Sequence, residues 1–205
     1  MKRILAPLAI CAALASPAMA EQRALSGFTG VSASAGTEVE VVVGPAFSVD
    51  VSGRDAARIT TRISGSTLVV EPVRTMWFQA GPRDAHVRVT MPAVRSLEAS
   101  SGADLRASGL NGGDVSLDSS SGADLYASGA CASFTADASS GADIHAQELR
   151  CENGSVDVSS GADARVYASG RLNVDASSGG GVVAYGNPGI GNIDLSSGGS
   201  LRRAN

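Results

Sequence analysis

Lysine is all but missing from this chain: of 205 residues only Lys2 is one, and every later basic residue is arginine. Without a basic cluster, nucleic acid and anionic lipid surfaces are excluded as partners. There are two histidines and three cysteines, with no Cys/His grouping at metal spacing, which removes a zinc site. No G-x-S-x-G elbow and no Ser-His-Asp ordering stands out among the many serines. Aromatics make up 4% of the chain. No apolar run reaches the length of a membrane span, and no window from residue 100 onward keeps a helical period.

The longest apolar run, "ILAPLAICAALA", follows a basic "MKR" and precedes a small-residue "AMA" at Ala18–Ala20. That order is a secretory signal peptide over residues 1–20, so the expected mature chain is a single domain over 21–205. Ile10 before Cys11 disfavours a lipoprotein anchor. Loss of Lys2 and Arg3 leaves 14 basic against 20 acidic residues, a net charge of −6. No barrel or anchor pattern follows the repeats, so the expected location is periplasmic or extracellular.

What the chain has in quantity is glycine and serine, in a repeat. Ser-Ser-Gly-Ala-Asp occurs at Ser100–Asp104, Ser120–Asp124, Ser139–Asp143 and Ser159–Asp163, with frayed copies at Ser177 and Ser196. The glycines Gly102, Gly122, Gly141, Gly161, Gly179 and Gly198 are spaced by 20, 19, 20, 18 and 19 residues. A fixed period of this size indicates a solenoid. Each unit holds short segments of period-two alternation ("ADLRA", "DVSLDS", "SFTADA") bounded by Gly, Ser and Asn, the pattern of strands. Leucine-rich repeats share the length, but their spaced leucines and asparagine are missing. The predicted fold is therefore all-β, a right-handed parallel β-solenoid with turns of about 19–20 residues.

Equivalent residues of successive coils then form columns about 4.8 Å apart. Leu105, Leu125 and Ile144 should point inward, as should Val115/Leu117, Phe134/Ala136, Val156/Val158, Leu172/Val174 and Ile193/Leu195. The Ser-Gly column marks a sharp corner where glycine supplies positive φ and spares a Cβ clash. The segment 21–98 is β-like without clear periodicity and reads as irregular first coils of the same stack, ahead of the regular repeats over 99–205. Within it Trp77 and Phe78, the only adjacent aromatics, mark an end cap or a binding loop.

"GFTGVSASAGTEVEVVVGPAFSVDVSG", "LVVEP", "VRVTMPAVRSLEASSGADL" and "VVAYGNPGIGNIDLSSGGSL" together resemble the head GIN domain family of auto-transporter adhesins. The order of elements carries the resemblance: Pro92 ahead of the first Ser-Ser-Gly, repeated Ser-Gly marks, then Tyr-Gly-Asn-Pro. It implies an exported bacterial β-solenoid and brings no catalytic residues. The Ala-Asp after each glycine departs from the pattern of many relatives.

Two outward acidic columns follow from that departure: Asp104, Asp124, Asp143, Asp163, and Asp118, Asp137, Asp157, the latter continued by Asp175, Asp194 and Glu98. Carboxylates stacked at this spacing repel by roughly 1 kcal/mol in water. They form either a solvated acidic face or a set of oxygen ligands for calcium, the one cofactor the sequence suggests. Two residues on stand Arg106, Tyr126, His145 and Arg165, an outward face that either neutralises the acids or meets an envelope glycan or protein. Cys131 and Cys151 each lie seven residues before the residue that precedes the next Ser-Ser-Gly. That equivalence puts them in adjacent coils within disulfide reach. Sheet edges at the two ends would allow homo-oligomers, end to end or trimeric. The expected function is a non-catalytic adhesion or interaction module. A calcium- or glycan-binding solenoid is the alternative. A polysaccharide-active β-helix enzyme is third, disfavoured by the short chain, the lack of lysine and the absence of long loops.

Overall fold

The computed structural model describes residues 20–73 and 84–204; Trp77 and Phe78 lie outside the described residues, as does nearly all of the leader. The described residues are 66% strand and 2% helix, a β-solenoid of about five turns. In chain order the strands are β1 (Glu21–Gln22), β2 (Gly30–Ser34), β3 (Glu38–Val43), β4 (Ser48–Ser52), β5 (Ile59–Ser64), β6 (Thr67–Pro72), β7 (His86–Met91), β8 (Ser96–Ser100) and β9 (Asp104–Asn111). Then come β10 (Asp114–Ser120), β11 (Asp124–Ser139), β12 (Asp143–Val158), β13 (Asp163–Ala168), β14 (Arg171–Ala176), β15 (Gly181–Tyr185), β16 (Gly189–Leu195) and β17 (Ser200–Arg203).

Each coil contributes two strand segments, one before and one after the Ser-Ser-Gly corner. In β11 and β12 the far corner is smooth enough that one 16-residue strand runs from one Ser-Ser-Gly to the next. Segments before the corner stack as β8, β10, late β11, late β12, β14 and β16, all parallel. Segments after it stack as β9, early β11, early β12, β13, β15 and β17.

The corner is a tight turn. Ser101, Ser121, Ser140 and Ser160 have φ of 54° to 56°, and the glycines that follow have φ of 67° to 71°. Ala103 N–H donates to Ser100 O across it at 3.2 Å, and its equivalents do the same. Two left-handed central residues closed by such a bond make a type I′ turn, which is why glycine recurs. A Cβ on Gly102, Gly122, Gly141 or Gly161 would meet nothing within 4 Å. The expected Cβ clash is thus not the reason for glycine there; the dihedral angle is. The second serine carries the same strain, and each corner donates to the next, as in Gly122 N–H to Ser140 O at 3.2 Å.

The interior follows the predicted columns. Leu105, Leu117, Leu125, Ile144, Val158 and Leu172 are fully buried, and the alanine after each glycine (Ala103, Ala123, Ala142, Ala162) is 1% exposed. Ile193 and Leu195 pair in register with Val174 and Ala176, yet are 50% and 43% exposed because no described strand lies over β16.

The early coils join the same stack out of chain order. β2 pairs with β8 on one side and β6 on the other, while β3 lies between β9 and β7. The first coil is therefore inserted between the second and the regular repeats. Its Ala35–Gly36 corner (φ 56° and 71°) copies the Ser-Gly turn, so it fits that slot in register. At that end the pairing turns antiparallel, β4 on β7, β1 on β4 and β5 on β6, which stops the parallel stack from propagating.

Candidate interaction faces

Alternation along the after-corner strands sends Asp104, Asp124, Asp143 and Asp163 outward in one column and Arg106, Tyr126, His145 and Arg165 in the next. The early coils extend both. Glu38 and His86 continue the first, and Glu40, Arg88 and Asp50 the second, paired through β3, β7 and β4. These five were missed in the sequence reading. The available signal was that Glu38-Val39-Glu40 and His86-Val87-Arg88 repeat the outward–inward–outward pattern of Asp104-Leu105-Arg106.

Both columns are tied by side-chain contacts. In the first His86 pairs with Glu38 at 3.0 Å, and in the second Arg88 pairs with Glu40 at 2.7 Å. Arg106 reaches Asp104 at 3.2 Å and lies 3.9 Å over the Tyr126 ring. Tyr126 stacks on His145 with centroids 4.4 Å apart and planes 13° from parallel. Arg165 Nη1 donates to His145 Nδ1 at 3.1 Å. That leaves the imidazole proton on Nε2, which faces Asp124 Oδ1 at 4.0 Å. Partial burial, then the Arg165 guanidinium, lowers the His145 pKa from its ordinary 6.5, so the ring is neutral at pH 7. Tyr126 is enclosed by Arg106 on one side and His145 on the other, so its edge and hydroxyl, not its faces, are offered to a partner.

The other acidic column stands on the before-corner strands. Glu98, Asp118, Asp137, Asp157, Asp175 and Asp194 are in strict register. The first four line an open groove of about 490 Å³ whose rim is the serine column Ser100, Ser120, Ser139 and Ser159. Among the described residues none of these carboxylates has an arginine within ion-pair distance. Ser116 Oγ donates to Asp118 at 3.1 Å. Partial burial, then the charges of Asp118 and Asp157 on either side, raises the Asp137 carboxyl above its ordinary 3.8.

The seven aspartates considered as calcium ligands thus divide into two sets on opposite sides of the corner. Among the described residues, the group of three metal-competent side chains whose ligand atoms lie within 4.8 Å of one another is Asp124, Asp143 and His145.

Cys131 and Cys151 form the disulfide that their equivalent positions predicted, with Cα atoms 4.5 Å apart. It ties β11 to β12 just before the coil length shortens, where β12 leaves its register with β13 between Ala146 and Cys151.

Residues 27–188 match the family described as "Putative auto-transporter adhesin, head GIN domain". The chain belongs to this family. A similar solved structure is a "putative adhesin" of Bacteroides fragilis, 12% identical, with a TM-score of 0.69 over 93% of this chain and 98% of that one. A "putative adhesin" of Parabacteroides distasonis is 12% identical, with a TM-score of 0.54 over 93% and 98%. A "putative lipid binding protein" of the same species is also 12% identical, with a TM-score of 0.52 over 91% and 96%. At these identities the likeness is one of fold. No curated protein matches the chain. The head GIN domain is thus an adhesion-type β-solenoid, and among its described residues no helix is long and apolar enough to cross a membrane.

Proposed function

We propose that this head GIN domain is an exported, non-catalytic envelope protein that meets a glycan or protein partner through the after-corner face. One observation carries the reading: Arg88, Glu40, Arg106, Tyr126, His145 and Arg165 stand in one column fixed at the coil spacing. Most of that column's neighbours are carboxylates. Because the stacked groups hold one another, they lose little side-chain entropy on binding, and a partner's polar groups meet a preset row of guanidinium, phenol and carboxylate. The test is retention of the mature chain on isolated envelope material, compared with an Arg106→Glu/Arg165→Glu variant. Loss in the variant supports the face as the contact; equal retention removes it. Recovery of protein beginning at Glu21 from the envelope fraction checks export.

The Asp124–Asp143–His145 group favours a second reading, a divalent-cation site. Its imidazole does not suit calcium, and Nδ1 already accepts from Arg165, so two carboxylates would hold the ion. A melting temperature raised by millimolar calcium and lowered by chelator supports this reading. An unchanged one rejects it.

A further inference from the structure

The far corner of the late coils carries an arginine that the outward columns do not use. Arg150 is exposed, and its guanidinium lies 4.2 Å over the Tyr167 ring. Among the described residues it has no carboxylate within ion-pair distance. In a chain of net negative charge, this is a cation held in place by an aromatic ring with its forked donors free. It is anchored at its base by the neighbouring Cys151, half of the disulfide.

Tyr167 and Tyr185 are in register on β13 and β15, both half-buried. The turn after Tyr185, Gly186-Asn187-Pro188, is shaped to admit the lower ring. Gly186 has φ of 85°, and a Cβ there would come within 2.7 Å of Tyr167 Cε2 and also collide with Ala168 O. Asn187 is left-handed (φ 53°), and Arg203 closes the turn by donating to Pro188 O at 3.2 Å. Arg150, Tyr167, Tyr185, Gly186, Asn187 and Ala204 line a hollow of about 340 Å³ with no carboxylate side chain in its wall. On the other side of the Arg150–Tyr167 pair a second open hollow of about 570 Å³ runs past the disulfide to Ser169 and Gly170, with the carboxylate of Glu152 in its wall.

We propose that this corner is a binding subsite for a carboxylate-bearing sugar, such as a uronic acid unit of an acidic polysaccharide. The free guanidinium matches a carboxylate bidentately. A tyrosine ring and hydroxyl with an adjacent side-chain amide match the C–H face and hydroxyls of a pyranose. The carboxylate-free hollow beside Tyr185 and Asn187 seats the acidic unit, and the second, which Glu152 lines, leaves room for a neighbouring unit whose carboxylate points away. The subsite is separate from the outward ladder, and it stands or falls independently of that face.

The mature chain is titrated with a tetrasaccharide of glucuronic acid and, separately, with the neutral glucose tetrasaccharide of the same linkage. Binding is read by calorimetry and by the ring signals of Tyr167 and Tyr185. The acidic oligomer is expected to bind and to shift both tyrosines, and the neutral one to bind about tenfold or more weakly. Arg150→Ala is expected to weaken the acidic oligomer by about tenfold or more, whereas Arg95→Ala, at an exposed arginine elsewhere, leaves it unchanged. Arg150→Gln retains part of the aliphatic stem and serves if the alanine variant fails to fold by circular dichroism. No binding at millimolar oligomer, equal binding of the neutral oligomer, or full affinity in a folded Arg150 variant would each overturn the assignment.

Discussion

Gly154 sits opposite Phe134 on the neighbouring coil, and the two are a matched pair of sizes. Phe134 is 4% exposed, and its ring tip occupies the space that a side chain at 154 would need. A Cβ on Gly154 would lie 2.9 Å from Phe134 Cε2 and closer still to Cζ and Cε1. The backbone of Gly154 is not among the positive-φ positions, so alanine is conformationally acceptable there. By chain entropy alone, Gly→Ala would stabilise by about 0.4–1 kcal/mol. Overpacking against a ring held in the core acts the other way, by about 1–3 kcal/mol. The net expectation for Gly154→Ala is a loss of about 1–2 kcal/mol, a fall in Tm of roughly 2–8 °C for a domain of this size. Shortening the ring with Phe134→Leu leaves a cavity and costs about 1–3 kcal/mol alone, yet it clears the space that alanine enters. Thermal or denaturant unfolding of the four proteins of the double-mutant cycle should show the pair less destabilised than the sum of the singles by about 1 kcal/mol or more. Simple additivity, or a Gly154→Ala protein as stable as the parent, would refute this size complementarity.

Gly122→Ala presents the opposite case, since its Cβ meets nothing and φ is 67°; the left-handed backbone alone should cost about 1–2 kcal/mol in unfolding experiments. Replacing Cys131 and Cys151 by serine, or reducing them, should remove about 3 kcal/mol by opening a 20-residue separation, read as a drop in Tm that reductant no longer changes in the variant. The raised Asp137 carboxyl means the folded chain binds more protons than the unfolded one just above pH 3.8. That contribution to stability therefore falls as pH rises through the folded pKa. Asp137→Asn should raise stability at pH 7 and low salt by up to about 1 kcal/mol, with the gain shrinking in high salt and near pH 3. His145 has the other sign: its folded pKa is lowered, so its contribution is complete above 6.5 and is lost as pH falls from there toward the folded value. His145→Gln should flatten that limb of the stability–pH curve.

The repeat period, the inward columns, the disulfide and the two outward acid columns were all legible, because one fact generates them. A parallel coil places residues with equal offsets from Ser-Ser-Gly on top of one another. The order of the early coils was not legible. Nothing in "TEVEVVV" says that β3 pairs with β9 rather than with β7 alone; the slot is set by tertiary packing against β6, β7 and the antiparallel cap. The left-handed second serine was also hidden, since serine is written the same way in any conformation. The exposure of Ile193 and Leu195 depends on what lies over β16, which their alternation does not encode. For the candidate face, the sequence placed Arg106, Tyr126, His145 and Arg165 together. It did not show that the rings would cover one another, because interplanar geometry depends on rotamers rather than on spacing.

The most direct test of the interaction face is an amide and side-chain chemical-shift map of the isotope-labelled mature chain on addition of solubilised envelope material. Shifts concentrated at residues 104–106, 124–126, 143–145 and 163–165, and absent from the groove of Asp118, Asp137 and Asp157, are the expected result. Shifts confined to that groove, or none anywhere, would contradict the after-corner face as the surface through which this domain works.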